Sequence, residues 1–117
     1  MKDNILIIVN PNAGRGNVQK KIHRIASNLS KQGFLVDIIY TKINYSASSI
    51  IRDYKGKLDL VICCGGDGTL NEVISGNIER RKPILLGHLP LGSVNDVAHM
   101  YGLMKIKFLP RIYWEFT

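Results

Sequence analysis

The stretch LDLVICCGGDGTLNE, residues 58–72, decides the fold, because a strand pattern ends in it at a glycine-rich loop and a helix start. Residues 58–64 are apolar except for Asp59 and include β-branched side chains, which is typical of a strand buried on both faces of a parallel sheet. Thr69 and Glu72 have the spacing of a capping box. This predicts that Thr69 accepts a hydrogen bond from a free amide at the helix start, and that Glu72 reaches back to the Thr69 amide.

The rest of the chain repeats the alternation of short apolar runs with helical patterns. Strands are predicted at residues 5–9, 34–40 and 84–88 as well as 58–64, and a capped helix follows Asn17 with apolar positions at helical spacing. Gly33 is placed to end that helix, and Ser46 opens a second one that runs to about Tyr54. A third helix ends near Asn77, and a fourth covers residues 96–101. Such alternation predicts an α/β domain with a parallel sheet.

Composition limits the class of protein and its partners. The chain has 117 residues, of which 45% are hydrophobic, and this size suits one domain with a single core. Its net charge of +7 favours an anionic partner, which leaves nucleotide, nucleic acid and membrane surface open. No recognised nucleic-acid module is present, so we expect no nucleic acid partner. The apolar runs are too short to span a bilayer.

The two cysteines indicate a reducing compartment. Cys63 and Cys64 are adjacent in the predicted strand, so their side chains should point to opposite faces and should not form a disulfide. We therefore expect a cytoplasmic protein, either free or peripheral to the membrane.

Three predicted strand-to-helix loops, at residues 10–16, 65–69 and 90–95, are the candidates for a functional site. In a parallel sheet such loops emerge at the carboxyl edge, where ligands bind at topological switch points. Glycine amides and a helix N-terminus favour phosphate, and Asp67 beside a phosphate implies a bridging Mg²⁺. The alternative is a tight turn in which Asp67 only caps the helix. The dinucleotide-binding and P-loop glycine signatures are both missing.

Three motifs in order carry a family resemblance: NPNAG at residues 10–14, GGDGTLNEV at 65–73 and PLGSVNDVA at 90–98. Together they resemble the catalytic domain of diacylglycerol kinases, a family that includes sphingosine, ceramide and bacterial lipid kinases. NAD kinases and phosphofructokinases are more distantly similar. The resemblance spans about residues 5–103 and implies a three-layer α/β/α Rossmann-like domain with a mostly parallel sheet.

The resemblance also implies an ATP site with Mg²⁺ at the carboxyl edge. Asp67 is expected in the magnesium network as the catalytic residue, and Ser93 stands where the family usually has Thr. The residues expected to contact the nucleotide and its phosphates are Asn10, Pro11, Asn12, Ala13, Gly14, Thr41, Gly66, Asp67, Gly68, Thr69, Leu70, Asn71, Glu72 and Ser93.

The expected function is phosphoryl transfer from ATP to diacylglycerol or a related lipid alcohol. The family's second, mostly β domain supplies the general base, and the sequence ends before that domain. We therefore interpret residues 1–103 as the nucleotide-binding domain and residues 104–117 as an atypical tail, with self-association through an unpaired strand left open. The alternative is a catalytically incomplete nucleotide-binding or regulatory fragment.

Basic side chains cluster in two further segments, whereas the three histidines are scattered along the chain. Residues 80–82 (RRK) form either a solvated turn or a contact with anionic lipid, and the basic, aromatic tail suits an interface or a membrane surface. His23, His88 and His99 lack metal-ligand spacing and are interpreted as ordinary histidines.

Overall fold

The structure, a computed structural model, describes residues 3–12, 18–90, 104–109 and 112–116. Its elements are β1 (Asn4–Val9), α1 (Val18–Lys31), β2 (Leu35–Tyr40), α2 (Ala47–Asp53), β3 (Leu60–Gly65), α3 (Asp67–Ile78), β4 (Leu85–Pro90), β5 (Met104–Leu109) and β6 (Ile112–Phe116). The four predicted strands and the first three predicted helices are present, with ends shifted by one to three residues. The predicted cap Asn17 and the predicted helix at 96–101 lie outside the described residues.

These strands form one sheet in the order β2-β1-β3-β4-β5-β6. The strands β1 to β4 pair in parallel, whereas β5 pairs antiparallel with β4 and β6 antiparallel with β5. The mostly parallel α/β sheet is therefore confirmed. The segment that the sequence left unassigned extends the sheet by two strands, with Leu109 opposite Leu86.

The sheet separates two apolar layers, which confirms the three-layer architecture. Alternate residues of β1 face opposite sides: Ile5, Ile7 and Val9 pack with α1, whereas Leu6 and Ile8 pack with α2 and α3. Cys63 and Cys64 fall into different layers and are both free thiols. The adjacent cysteines therefore face opposite sides of β3, as predicted.

Local signals fix two of the helix ends. Ser46 caps α2 by accepting a hydrogen bond from the Ser49 amide at 3.3 Å. Gly33 follows α1 with a φ of 100°, a left-handed conformation that favours glycine. The longest helix among the described ranges, α1, has 14 residues, and no helix there is long and apolar enough to cross a bilayer.

Candidate functional site

The sheet has a topological switch point at β1. The chain passes from β1 to β2 on one side and then returns to place β3 on the other, so the strand order reverses beside β1. Ligands of open α/β sheets bind outside the carboxyl ends of the strands at such a point. The residues that follow these strands are Thr41 after β2, Asn10 after β1 and Gly66 after β3.

Asn10 connects the loops on the two sides of the switch point. Its backbone amide donates to the Cys64 carbonyl at 3.1 Å, and its Nδ2 donates to Thr69 Oγ1 at 3.2 Å. Its Oδ1 accepts from the Asn12 amide at 3.0 Å, which shapes the turn after β1. On the other side, the Thr41 amide donates to the Val9 carbonyl at 2.8 Å. These bonds hold the three strand ends together as one edge.

Thr69 packs directly against the end of β3. It is one of two buried polar side chains among the residues whose burial is described, with 7% of its surface exposed. A Cβ on Gly65 would lie 2.9 Å from both Cβ and Oγ1 of Thr69, which is closer than real Cβ atoms approach. Gly65 therefore allows the strand to pass Thr69, so that Oγ1 can accept the bond from Asn10.

The start of α3 differs from the prediction. The N-cap is Gly66, in an extended conformation and with no side-chain cap, and the Leu70 amide donates to the Gly66 carbonyl at 3.1 Å. The predicted Thr69–Glu72 capping box is wrong, because the helix begins at Asp67 and Thr69 already lies inside it. Glu72 instead accepts from the Ala47 amide at 3.2 Å, at the first residue of α2.

The uncapped start of α3 is accessible from solvent. Gly66, Asp67 and Gly68 are exposed, and a Cβ added at either glycine would meet nothing within 4 Å. The first amides of a helix have no partner within the helix, and the helix dipole places partial positive charge there. Backbone groups at this point can therefore be reached by an anion without a side chain in between.

The residues at this edge fit a Mg²⁺ ion held together with phosphate. Within the described ranges no group of three or more His, Cys, Asp or Glu side chains could hold a metal by itself. Mg²⁺ is commonly bound by one or two carboxylates together with substrate phosphates and water. The exposed Asp67 carboxylate beside the open amides of α3 meets that requirement.

His88 is a residue of this edge that the sequence did not identify. Its Nε2 lies 3.1 Å from the Gly65 carbonyl, to which it donates, and His88 stands opposite Cys63 in the pairing of β4 with β3. The side chain thus ties β4 to the last residue of β3. His88 lies near the carboxyl end of a predicted strand, and this position could have indicated a place at the edge that carries the glycine loop. The spacing of metal ligands, which was the criterion applied to the histidines, does not consider it.

The side chains under the site stay neutral at physiological pH. Burial raises the pKa of Cys63 to about 12, with a smaller contribution from Glu72, and burial raises the pKa of Cys64 well above its ordinary value. Burial and then Cys64 also raise the pKa of Tyr40. Neither thiol is therefore available as a thiolate nucleophile near neutral pH.

The expected site residues fall into three groups. Asn10, Thr41 and the segment 66–69 lie along the carboxyl edge, and Pro11 and Asn12 form an exposed turn there. Leu70 packs partly into the α2 and α3 layer, Asn71 is exposed, and Glu72 bonds to α2. Ala13, Gly14 and Ser93 lie outside the described residues.

The comparisons with known proteins agree on one family. Residues 4–111 match the diacylglycerol kinase catalytic domain. A diacylglycerol kinase of Staphylococcus saprophyticus is 35% identical over 104 residues, which cover 88% of this chain and 34% of that relative. A diacylglycerol kinase of Staphylococcus aureus is 34% identical over 97 residues, which cover 82% of this chain and 31% of that relative.

A solved structure shares the fold. The crystal structure of a diacylglycerol kinase from Bacillus anthracis str. Sterne has a TM-score of 0.68 and 32% identity, covering 80% of this chain and 34% of that one. The chain thus spans about a third of the length of the proteins it matches. Sequence and fold together place the chain in the diacylglycerol kinase catalytic domain family.

Proposed function

We propose that this chain supplies the ATP-binding half of a lipid kinase, which transfers the γ-phosphoryl group to a hydroxyl of diacylglycerol or a related lipid. The observation that carries the proposal is the Asn10–Thr69 hydrogen bond of 3.2 Å. It holds the loop after β1 against the uncapped start of α3, at the point of the sheet where ligands bind. The names of the relatives support the class of acceptor.

The backbone of α3 binds the phosphates in this proposal. The amides that precede the first helical hydrogen bond donate to phosphate oxygens, and the helix dipole favours the negative charge. Gly66 and Gly68 allow the approach because neither position carries a side chain that would stand over the amides. Asn10 and Thr41 bound the site on the side of β1 and β2.

Asp67 holds the magnesium ion in this proposal. A carboxylate beside phosphate oxygens repels them unless a cation lies between, and the exposed first turn of α3 places Asp67 where such bridging is feasible. When bound, Mg²⁺ neutralises charge that develops on the transferred phosphoryl group. Orientation and deprotonation of the lipid hydroxyl require a general base, which we expect a second, mostly β domain to supply.

Thermal unfolding with ATP tests the phosphate site. ATP with Mg²⁺ should raise the melting temperature by several degrees, because a ligand that binds only the folded state stabilises it. Asp67→Ala should remove most of the part of this shift that depends on Mg²⁺. Asp3→Ala is the matched control, since Asp3 is also exposed but precedes β1 at the opposite edge of the sheet. A folded chain that shows no shift with ATP and Mg²⁺ would refute the proposal.

A second candidate is a nucleotide-binding fragment without catalysis, because the groups described at the carboxyl edge, the open amides of α3 and Asp67, are suited to binding phosphate and Mg²⁺. Transfer of radiolabelled phosphate from ATP to diacylglycerol in mixed micelles separates the two. Formation of phosphatidic acid by this chain alone excludes the fragment hypothesis.

A further inference from the structure

The connection between β2 and α2 contains a tight turn with an apolar tip, residues 42–45, which we call the Ile43 turn. The Lys42 amide donates to the Tyr45 carbonyl at 3.0 Å, and the Tyr45 amide donates to the Lys42 carbonyl at 3.0 Å. Ile43 and Asn44 are therefore the two residues at the tip. The turn is fixed from both sides by main-chain hydrogen bonds.

The tip exposes its apolar side chains to water. Ile43 is fully exposed, and Tyr45 is 43% exposed. Because the two backbone bonds fix the turn, Ile43 cannot reach the core without breaking them. A single exposed apolar residue is ordinary on a protein surface, but here an isoleucine, a tyrosine and a lysine share one four-residue turn.

The Ile43 turn lies at the same edge as the candidate site. It begins directly after Thr41, whose amide bonds to the end of β1. The other large apolar side chains that are exposed in the described ranges lie at the opposite edge: Leu35 and Leu85 begin strands, and Ile78 ends α3. Among the residues whose exposure is described, the carboxyl edge thus has one apolar projection, and it is next to the site.

We propose that the Ile43 turn docks on the surface of an anionic lipid bilayer. Its composition fits that partner, because tyrosine favours the headgroup level, isoleucine the acyl boundary and lysine acidic headgroups. The net charge of +7 adds attraction to such a surface. The choice of partner rests on the proposed function, since a lipid acceptor held in a membrane requires the carboxyl edge to face it.

The opposite edge offers a more basic surface, a cleft of about 640 Å³ lined by Arg52, Tyr54, Glu79, Arg80, Arg81 and Lys82. Two of its cations are engaged within the fold. Arg80 Nη1 donates to the carbonyls of Ile51 at 2.7 Å and Tyr54 at 3.2 Å, and Arg52 pairs with Asp53 at 3.0 Å and Glu79 at 3.7 Å.

A bilayer at that edge would also be far from the site. Six-residue strands separate the two edges, which corresponds to roughly 20 Å at about 3.3 Å per residue. An acceptor lipid would then lie across the sheet from Asp67. We therefore assign the membrane contact to the carboxyl edge rather than to residues 80–82.

Sedimentation with sucrose-loaded vesicles tests the proposal on the full chain. With vesicles that contain phosphatidylglycerol, Ile43→Ser should reduce partitioning by about tenfold, which corresponds to the loss of roughly half of a buried isoleucine's transfer free energy. Lys42→Ser should lower binding to these vesicles but not the weaker binding to phosphatidylcholine vesicles. Ile78→Ser is the matched control, because it removes an exposed isoleucine at the other edge, and it should partition like the wild type.

Equal partitioning of Ile43→Ser and wild type would overturn the proposal, as would a greater loss with Ile78→Ser or with Arg81→Ala/Lys82→Ala. A change from dimer to monomer in Ile43→Ser, with unchanged vesicle binding, would assign the turn to self-association instead. The ATP-dependent melting shift should be equal in Ile43→Ser and wild type. Vesicle binding through the turn without any ATP shift would refute the nucleotide site and leave the docking surface standing.

Discussion

Thr69 is a buried side chain that the geometry of the candidate site depends on. It accepts the bond from Asn10 Nδ2, and it packs against the Cα of Gly65. The glycines around it have different physical roles. Gly65 is needed because a neighbour occupies the space of its Cβ, whereas Gly66 and Gly68 face open space.

This difference predicts opposite behaviour of two glycine-to-alanine changes. Gly68→Ala should keep or raise the melting temperature, because alanine is favoured over glycine in a helix by about 1 kcal/mol, yet it should weaken ATP binding by placing a methyl group beside the phosphates. Gly65→Ala should lower both stability and ATP binding, because Thr69 must move. The measurements are thermal unfolding and calorimetric titration with ATP and Mg²⁺, and unchanged ATP affinity in Gly68→Ala would contradict the phosphate assignment.

At the level of elements, α2 is connected along its whole length to α3 from Glu72 onward and to the turn that follows α3. Glu72 bonds to the Ala47 amide at the start of α2, and Arg80 bonds to the Ile51 and Tyr54 carbonyls at its end. Between these contacts the helices approach so closely that a Cβ on Gly76 would overlap the Ser48 carbonyl and Ile51 Cγ2. The helices therefore run parallel, with Glu72 linking the glycine-loop helix to the segment that follows the Ile43 turn.

Gly76→Ala should separate the two helices. Overpacking of this kind costs about 1–3 kcal/mol, and the higher helix propensity of alanine offsets only about 1 kcal/mol of it. The urea midpoint should fall accordingly. Ser75→Ala is the control on the same helix, at an exposed position, and it should change the free energy of unfolding by less than about 0.5 kcal/mol. A Gly76→Ala variant as stable as the wild type would show that the helices can separate without cost.

For the molecule as a whole, β3 contributes to both apolar layers, as β1 does, and it carries one buried thiol into each. The pKa values of Cys63 and Cys64 are raised by burial in the folded state. A thiol whose pKa is higher in the folded state than in the unfolded chain contributes stability that is fully present below the pKa of the unfolded chain. This contribution is lost as the pH rises from that value toward the pKa of the folded state.

The free energy of unfolding should therefore fall above about pH 9, by up to about 1.4 kcal/mol per pH unit for each thiol. Urea unfolding at pH 7 to 10.5 measures this slope. Cys63→Ala should be less stable than the wild type at pH 7 but should lose stability less steeply with pH. An identical slope in the two proteins would mean that Cys63 does not cause the alkaline loss.

Much of the fold follows from local sequence. Runs of apolar residues predict the buried strands β1 and β3. Gly33, with its positive φ, and Ser46, with its capping hydrogen bond, predict helix ends. The partner of Glu72 could not be read in this way, because it lies 25 residues away on a packed helix. The bond from His88 to Gly65 likewise depends on β4 lying next to β3.

The sequence predicted which loops meet at the carboxyl edge but not the hydrogen bonds that their residues make there. Parallel strands bring their loops to one edge, so the meeting of Asn10 with the glycine loop follows from the fold class. The start of α3 was misread because Thr69 and Glu72 have the spacing of a capping box, while Gly66 starts the helix earlier through its backbone alone. Local rules did not reveal that Thr69 accepts a hydrogen bond from Asn10, in the loop after β1.

The position of β1 between β2 and β3 has a consequence for the order of folding. Asn10 and Thr69 are 59 residues apart in sequence, so their contact closes a long loop, and from the entropy cost of that closure we expect it to form after β3 has docked. On the ribosome, β1 emerges early but gains its second neighbour only when β3 and α3 have been synthesised. The amides of Asn10 and Leu70 are bonded to Cys64 and Gly66 on the two sides of this contact, so bound nucleotide should slow the exchange of both amide protons with solvent together.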